Sequence, residues 1–208
     1  MATDLNNRNI NTFSPIYRRI TVLKKYIIDK IDADQKIKRM MRYHSKTPTS
    51  RMGEGYDGAI IKQPDLVGSL LKPITENGVT YEEVLYNGRF NANIDTISKN
   101  QMFVYSPGSV INDEKDTQAI YFYVDILVSE KYEYLKNYGE ERTCEIADRV
   151  AQLFNGVYIT EKEVVDMVGN VKTIITGRSD SERLSKTNDI ILFRIPIVVN
   201  CLSMRHGV

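Results

Sequence analysis

Histidine and cysteine are scarce in this chain. It has two histidines, His44 and His206, and two cysteines, Cys144 and Cys201. A nucleophilic triad needs a histidine base held by neighbours, and a structural zinc site needs clustered Cys and His. No such partner lies near either histidine in the sequence. We therefore predict no catalytic residues, no metal site, and reduced thiols of the kind found in proteins made in a cytoplasm.

Phosphate-binding motifs and long apolar runs are also missing. The sequence has no Walker loop or dinucleotide fingerprint, so we expect no cofactor. No apolar run reaches the roughly 18 residues that span a bilayer, so we expect no membrane contact. A carboxylate metal site of Asp125 and Glu130 beside Lys131 is the remaining enzyme hypothesis. A charged residue on the outer face of a half-buried strand explains Asp125 more simply, and we expect no enzyme.

The most regular stretch runs from Gln118 to Gly156. Apolar residues first recur at every second position, which predicts a strand with one buried face: Ile120, Phe122, Val124, Ile126 and Val128. After a polar turn they recur at helical spacing, which predicts an amphipathic helix packed on the sheet: Ile146, Val150, Leu153 and Phe154. Glu140 and Glu141 fall in its first turn, and Asn155-Gly156 ends it.

The N-terminal part predicts helices and then a long irregular segment. Ser14-Pro15 is typical of a helix start, and a narrow apolar stripe follows: Ile16, Ile20, Leu23, Ile27 and Ile31. Asp32 or Asp34 caps a second helix, unless the two form one long helix. Periodicity then disappears from Tyr43 to Gly58, which predicts a loop or an extended arm. Its candidate partner contacts are Pro48, Arg51, Met52 and Tyr56.

The middle of the chain carries turn signals. Residues 64–71 have the pattern of a short helix. Asn77-Gly78 and Asn87-Gly88 are typical of hairpin turns. The stretch from Met102 to Tyr105 predicts a strand that pairs with residues 118–129.

The C-terminal part predicts two short strands, at 157–160 and 171–176, with a turn region at 161–170 between them and a surface loop at 177–188. A long apolar strand then spans Ile190–Leu202. Pro196 cannot donate a ladder hydrogen bond, which favours an edge strand or a bulge. An apolar edge is an aggregation hazard unless another copy covers it. Its subunit-interface candidates are Ile190, Leu192, Phe193, Ile195, Ile197 and Val199.

These elements predict an α+β fold: an antiparallel sheet with an amphipathic helix packed on one face, an N-terminal helix, and an extended loop or arm. We expect a single domain. Residues 1–100 supply the helices and the arm, and residues 101–208 supply the strand–helix–strand core.

Charge is unevenly distributed although the net charge is only +1. Residues 16–51 contain eleven Lys or Arg and three Asp, a net +8, so the remainder carries −7. A solvated helix face explains this pattern most simply. It also suggests complementary surfaces between copies, or an acidic partner such as DNA. Further subunit-interface candidates are Lys36, Lys38, Arg39 and Arg42. The alternative function is a nucleic-acid-binding accessory protein that uses these basic helices.

The order of elements resembles the neck proteins of tailed bacteriophages, in particular the tail terminator (tail completion) and head-to-tail connector ring proteins. The likeness lies in a strand ending in Ser106-Pro107, the acidic stretch from Asn112-Asp113, the aromatic strand 118–128 and the helix 140–154. It covers roughly residues 100–202, with a weaker match at the first helix. Residues 43–100 are longer than in a compact terminator, which suggests an added arm that reaches a neighbouring ring.

The resemblance implies a structural virion protein of the neck, made in the host bacterial cytoplasm. Six or twelve copies would form a ring around the DNA channel. The partners would be other copies of the chain, the portal or an adjacent connector, and the tail or tail tube. The basic helical arm would lie against the acidic surface of a neighbouring subunit or face the channel, and we predict the first.

Overall fold

The computed structural model describes residues 15–76, 78–89, 99–112, 117–136, 140–176, 181–183 and 190–202. Its helices are α1 (Pro15–Ala33), α2 (Gln35–Arg42), α3 (Arg142–Phe154) and α4 (Lys162–Val168). The strands are β1 (Met52–Glu54), β2 (Ile60–Lys62), β3 (Ile74–Glu76), β4 (Val79–Tyr81), β5 (Leu85–Asn87), β6 (Gln101–Asn112), β7 (Thr117–Ser129), β8 (Val157–Tyr158), β9 (Lys172–Ile175), β10 (Ser181–Arg183) and β11 (Ile190–Leu202). A 3-10 turn, Glu130–Tyr132, follows β7.

The main sheet has seven strands in the order β5-β6-β7-β11-β9-β8, with β10 beside β9 on the same side of β11. All neighbours are antiparallel except β5 and β6. The β7–β11 ladder runs the full length of both strands. Two separate hairpins, β1–β2 and β3–β4, lie outside this sheet. The predicted α+β class is confirmed.

The central strand and helix form as their periodicities predict. The alternate residues of β7 are fully buried: Ile120, Phe122, Val124, Ile126 and Val128. They share one hydrophobic core with buried residues of all four helices, including Leu23 of α1, Ile37 of α2, Phe154 of α3 and Val164 of α4. Gly156 adopts a φ of 73° just after α3, a conformation in which a Cβ would be strained. The helices therefore cover one face of the sheet.

Two helices, not one, occupy the N-terminal region. The Asp34 backbone is extended, and its carboxylate accepts a hydrogen bond of 2.9 Å from the Ile37 N–H. This N-cap satisfies one of the donors left unpaired at the start of α2. The α1 stripe is buried at Leu23, Ile27 and Ile31.

Three local predictions are wrong because tertiary contacts override local pattern. Residues 64–71 form no helix; their backbone carbonyls instead bind side chains of α2. Residues 161–170 contain α4, whose Val164 and Val168 are buried against the core. The surface loop predicted at 177–188 contains β10, which pairs with β11. The Asn87-Gly88 hairpin prediction extends into residues 90–98, which lie outside the described residues. The Asn77-Gly78 prediction is confirmed by β3–β4, with Gly78 at φ 77°.

The prediction that Pro196 marks an edge strand is also wrong. The β11 strand lies inside the sheet, paired with β7 on one side and with β9 and β10 on the other. The Pro196 carbonyl accepts from Thr176 N–H, so the Pro196 nitrogen also faces the β9 side. Among the described residues, ladder partners on that side cover 191–193 and 197–199. Pro196 therefore lies in an interior strand, with its nitrogen between the two described ladder segments on that side.

The opposite face of the sheet holds a buried ion pair. Asp125 is 1% exposed, and both its oxygens accept from Arg194, at 2.7 and 2.8 Å. The Arg194 guanidinium also lies over the Tyr123 ring, 5.1 Å from its centroid. Arg194 is 42% exposed at its side chain, so the two partners are buried unequally. This bidentate pairing accounts for a carboxylate on a central strand.

This inequality predicts that the two ends of the pair contribute differently to stability. We expect Arg194→Met to lower the free energy of unfolding by about 3–5 kcal/mol, because it leaves a buried carboxylate uncompensated. Asp125→Asn should cost less, since the Arg194 guanidinium can reach solvent. Urea unfolding of both variants measures the difference. Equal losses would contradict the argument.

Candidate interaction site: a hairpin arm braced on the body

The basic side chains of α2 face into the protein. Lys38, Arg39 and Arg42 are each no more than 6% exposed. Their donors bind backbone carbonyls of the following segment: Lys38 binds Gly68 at 2.8 Å, Arg39 binds Pro48 at 3.2 Å and Ser50, and Arg42 binds Ser69 at 2.6 Å and Lys72 at 3.2 Å. Arg39 also pairs with Asp65 at 2.9 Å. These hydrogen bonds and the ion pair hold residues 48–72 against α2.

This arrangement bears on the four basic interface candidates. Lys36 is partly exposed and pairs with Glu145 of α3 at 2.8 Å. Burial lowers the pKa of the Arg42 guanidinium, whose Nε and Nη1 have no hydrogen-bond partner among the described residues. Lys38, Arg39 and Arg42 have intramolecular partners, so contact with a neighbouring subunit stays a prediction for all four.

We define the arm as residues 43–63 and the body as the rest of the described chain. Arg142 is the central residue of the junction between them. It is the first residue of α3 and is fully buried. Its guanidinium donates to Tyr132 O at 2.7 Å and to Ser45 O at 2.6 Å. It also donates to Tyr43 O at 3.0 Å and to Met40 O. Burial lowers its pKa, and the four carbonyls compensate part of the desolvation.

The position of Arg142 follows from the chemistry of helix ends. The last carbonyls of α2 have no partner within that helix, and its dipole places negative charge there. Arg142 supplies a cation at this end, and Asn100 Nδ2 donates to Met40 O at 3.3 Å and Met41 O at 3.2 Å. The two side chains together cap α2 from outside its own sequence.

The start of α3 is capped by a buried acid. Glu133 is fully buried, and its carboxylate accepts from the Thr143 hydroxyl and from Thr143 N–H. Burial raises its pKa despite these bonds. The sequence predicts Glu140 and Glu141 in the first turn, but the helix begins at Arg142. The acid that occupies the helix N-terminus comes from the segment before it.

His44 lies at the same junction. Its ring stacks on Tyr132 with centroids 4.1 Å apart, and the Tyr56 ring packs on Tyr132 at 5.8 Å. Burial, together with the nearby charges of Arg142 and Lys131, lowers the His44 pKa to about 4. A neutral imidazole therefore forms part of the packing between arm and body.

The arm presents apolar side chains to solvent. Met52 is 58% exposed, Ile60 65% and Ile61 42%. Arg51, next to them, is 84% exposed at its side chain and lies 3.6 Å from Asp65. Among our arm candidates, Arg51 and Met52 are therefore on the surface.

The other two arm candidates contribute to the bracing. Pro48 is buried under the Arg39 contact. Tyr56 is half-buried and donates to Tyr134 O at 3.1 Å.

A second apolar patch lies beside β3–β4. Val67 is 87% exposed and Val79 50% exposed. Glu76 lies opposite Val79 in the hairpin. Its carboxylate accepts hydrogen bonds from Val67 N–H at 3.3 Å and from Gly68 N–H. These two hydrogen bonds hold the backbone segments that carry Val67 and Val79 next to each other.

The six interface candidates of β11 lie in the interior of the chain. Four of them face the helices: Phe193, Ile195, Ile197 and Val199. Ile190 and Leu192 pack on the other face with Phe103 and Leu127. The β11 strand is paired on both edges within its own sheet. A role of these six residues in a subunit contact therefore stays a prediction.

The described part of the chain contains no group of three His, Cys, Asp or Glu residues placed to hold a metal ion. No described helix is long and apolar enough to cross a membrane. Cys144 is an exposed free thiol whose pKa burial and Glu141 raise to about 11, and Cys201 is buried. His206 lies outside the described residues.

A groove of about 520 Å³ separates α1 from α4. Its apolar lining includes Val22, Tyr26 and Val164, and a 2.5 Å ion pair between Lys30 and Glu161 lies on its rim. Burial raises the pKa of Tyr26 to about 12.

The sequence pattern did not single out Arg142, Glu133 or Asn100 as important. A signal was present for Arg142, because a cation in the first turn of a helix opposes the dipole of that helix. The partners of these residues are distant in sequence, so no local pattern identifies them.

Comparison with protein families supplies the identification. The family model YomW matches residues 34–191, which is more than half of the chain. The chain belongs to the YomW family. This phage-derived family indicates a phage-associated protein. No curated protein matches the chain.

The YomW match bears on the site. It includes α2, both hairpins, the β6–β7 pair and the start of β11. Arg142 and every carbonyl that it binds lie inside the matched range. The arm and its junction therefore belong to the YomW region, whereas α1 precedes it.

Replacement of Arg142 should release the arm. Arg142→Met leaves four carbonyls without their donor, and each buried acceptor without a partner costs about 1–3 kcal/mol. We expect a loss of at least roughly 3 kcal/mol in urea unfolding, with early proteolysis within residues 43–63. Arg142→Lys should rescue little, since an ammonium lacks the planar fork. Arg51→Met is the exposed control, and an equal loss there would contradict the assignment.

Stability should also fall on mild acidification. The folded state holds the His44 pKa near 4, below the ordinary 6.5, so the unfolded state binds the proton more readily. Stability is therefore complete above about pH 6.5 and declines as pH falls towards 4. His44→Phe keeps the stacking and removes the titration. Urea unfolding of both proteins from pH 7.5 to 4.5 should show a flatter profile for the variant; parallel profiles would exclude His44 as the cause.

Proposed function

We propose that this YomW-family protein is a structural protein of the phage neck. Six or twelve copies form a ring that joins the portal or an adjacent connector to the tail around the DNA channel. The observation that carries this proposal is the arm: a hairpin with exposed apolar residues, braced on the body by buried cations. The proposal places the protein in the virion after its synthesis in the host cytoplasm.

The bracing favours a contact role for the arm. An isolated two-stranded hairpin is marginally stable in water. Here the Arg39 and Arg142 contacts fix its base, so little ordering entropy is lost when a partner binds. Exposed apolar side chains on a pre-ordered element are typical of surfaces that become buried in an assembly.

The nucleic-acid alternative receives less support. DNA binding requires cations that reach phosphates. Lys38, Arg39 and Arg42 are buried and donate to carbonyls of their own chain. A channel that must release DNA also gains little from strong phosphate contacts. In the proposed ring, DNA passes through the channel, and the bound partners are other copies, the portal or connector, and the tail or tail tube.

Light scattering and negative-stain images of the purified protein test the ring. A closed ring with a central hole, formed alone or after addition of the portal, is the expected result. A protein that stays monomeric under both conditions and is absent from purified virions by mass spectrometry would overturn the proposal.

The patch beside β3–β4 gives a variant test of the ring contact. Val67→Glu and Val79→Glu should each reduce ring formation at least about tenfold, because a charge cannot be buried against an apolar partner without large cost. Thermal unfolding of the monomer should change little, since both side chains are exposed. Val110→Glu, at a site 59% exposed on β6, is the matched control. Normal rings from both patch variants would exclude this surface.

A further inference from the structure

The two edges of the β1–β2 hairpin differ. Hydrogen bonds from Gly55 N–H to Ala59 O and from Gln63 N–H to Arg51 O set which residues face inward. Met52 and Glu54 of β1 therefore direct their backbone groups outward, as do Ile60 and Lys62 of β2.

The outward edge of β1 is hydrogen-bonded to other residues of the same chain. Lys46 N–H donates to Glu54 O at 2.7 Å, and Glu54 N–H donates to the Thr47 hydroxyl at 2.8 Å. The Ser50 hydroxyl donates to Met52 O at 3.0 Å. Three of the four outward groups of β1 thus have partners.

The β2 edge is open. The outward N–H and C=O groups of Ile60 and Lys62 have no partner within the described part of the chain, and β2 pairs only with β1. All three residues of β2 are exposed. Such an edge is a template for another strand, and its bonding groups require an extended backbone as the occupant.

The spacing of these groups fits a second copy of the same edge. Two outward-facing residues flank Ile61, so an antiparallel copy centred on Ile61 places Ile60 opposite Lys62 of the other copy, and Lys62 opposite Ile60. Each of these two opposed pairs exchanges both N–H···O bonds, which gives four in total. The two-fold arrangement is isologous.

The side chains agree with this register. Met52, Glu54, Ile60 and Lys62 share one face of the hairpin. In the two-fold pair each Lys62 lies opposite an isoleucine and not opposite the other Lys62, which avoids the repulsion of directly opposed like charges. The Ile60 side chains of the two copies then lie diagonally across the two-fold axis on the same face of the sheet.

We propose that two copies of this protein pair through their β2 edges, antiparallel about a two-fold axis at Ile61, to form a four-stranded sheet. This pairing uses the arm whose exposed apolar residues support the proposed ring, and it is tested separately from the ring contact at Val67 and Val79.

Cysteine cross-linking tests the register. In the full chain carrying Cys144→Ser, Ile61→Cys should form an intermolecular disulfide under mild oxidation. Residues at a non-hydrogen-bonded antiparallel pair lie about 4.5 Å apart between Cα atoms, within disulfide range. Ile60→Cys alone and Lys62→Cys alone should cross-link poorly, whereas a mixture of these two variants should cross-link well. Equal cross-linking at all three positions would overturn the register.

Removal of the outward N–H groups tests the edge itself. Lys62→Pro deletes a donor that β1 does not use, and it should weaken dimer formation at least about tenfold in sedimentation equilibrium. Lys62→Thr retains the N–H and should dimerise like the parent. A parent protein that shows no dimer over the concentration series, or a Lys62→Pro variant that dimerises as well as Lys62→Thr, would refute the proposal. Rings that form normally in Lys62→Pro would leave the neck function intact and separate the two proposals.

Discussion

The structure depends on one buried guanidinium. Arg142 donates to four carbonyls that come from the end of α2, the start of the arm and the turn after β7. A buried cation is costly unless it is fully bonded, so these segments must adopt one arrangement for the charge to be tolerated. The same constraint brings His44 onto Tyr132 and sets the base of the arm. The geometry of the surface hairpin therefore follows from a contact in the interior.

The three buried cations of α2 extend the same principle. Lys38, Arg39 and Arg42 bind backbone carbonyls within residues 48–50 and 68–72, which form no helix or strand. An irregular backbone near the core must find donors for its carbonyls, and long basic side chains supply them. The buried cations of α2 thus serve as internal donors. Their charge does not by itself imply an acidic partner.

The proposed ring contact at the valine patch and the proposed two-fold pairing at β2 lie on different hairpins of this scaffold. The valine patch beside β3–β4 and the β2 edge are both held by bonds within residues 46–76. Rigid support reduces the entropy lost when a partner binds, which suits a protein that assembles from many copies. The YomW match includes this whole region, so the phage association and the candidate surfaces concern the same part of the chain.

Sequence periodicity by itself determined the main elements. The alternation in β7 and the helical spacing in α3 each predict the buried face correctly, because both elements bury one face in the same hydrophobic core. Local patterns failed where distant contacts decide the structure. Pro196 lies inside the sheet, and side chains of α2 bind the backbone of residues 64–71 in place of a helix. The helix α4 is stabilised by burial of two valines. The junction was unpredictable for the same reason. Arg142 meets carbonyls about 100 residues away in sequence, and only the tertiary structure brings them together.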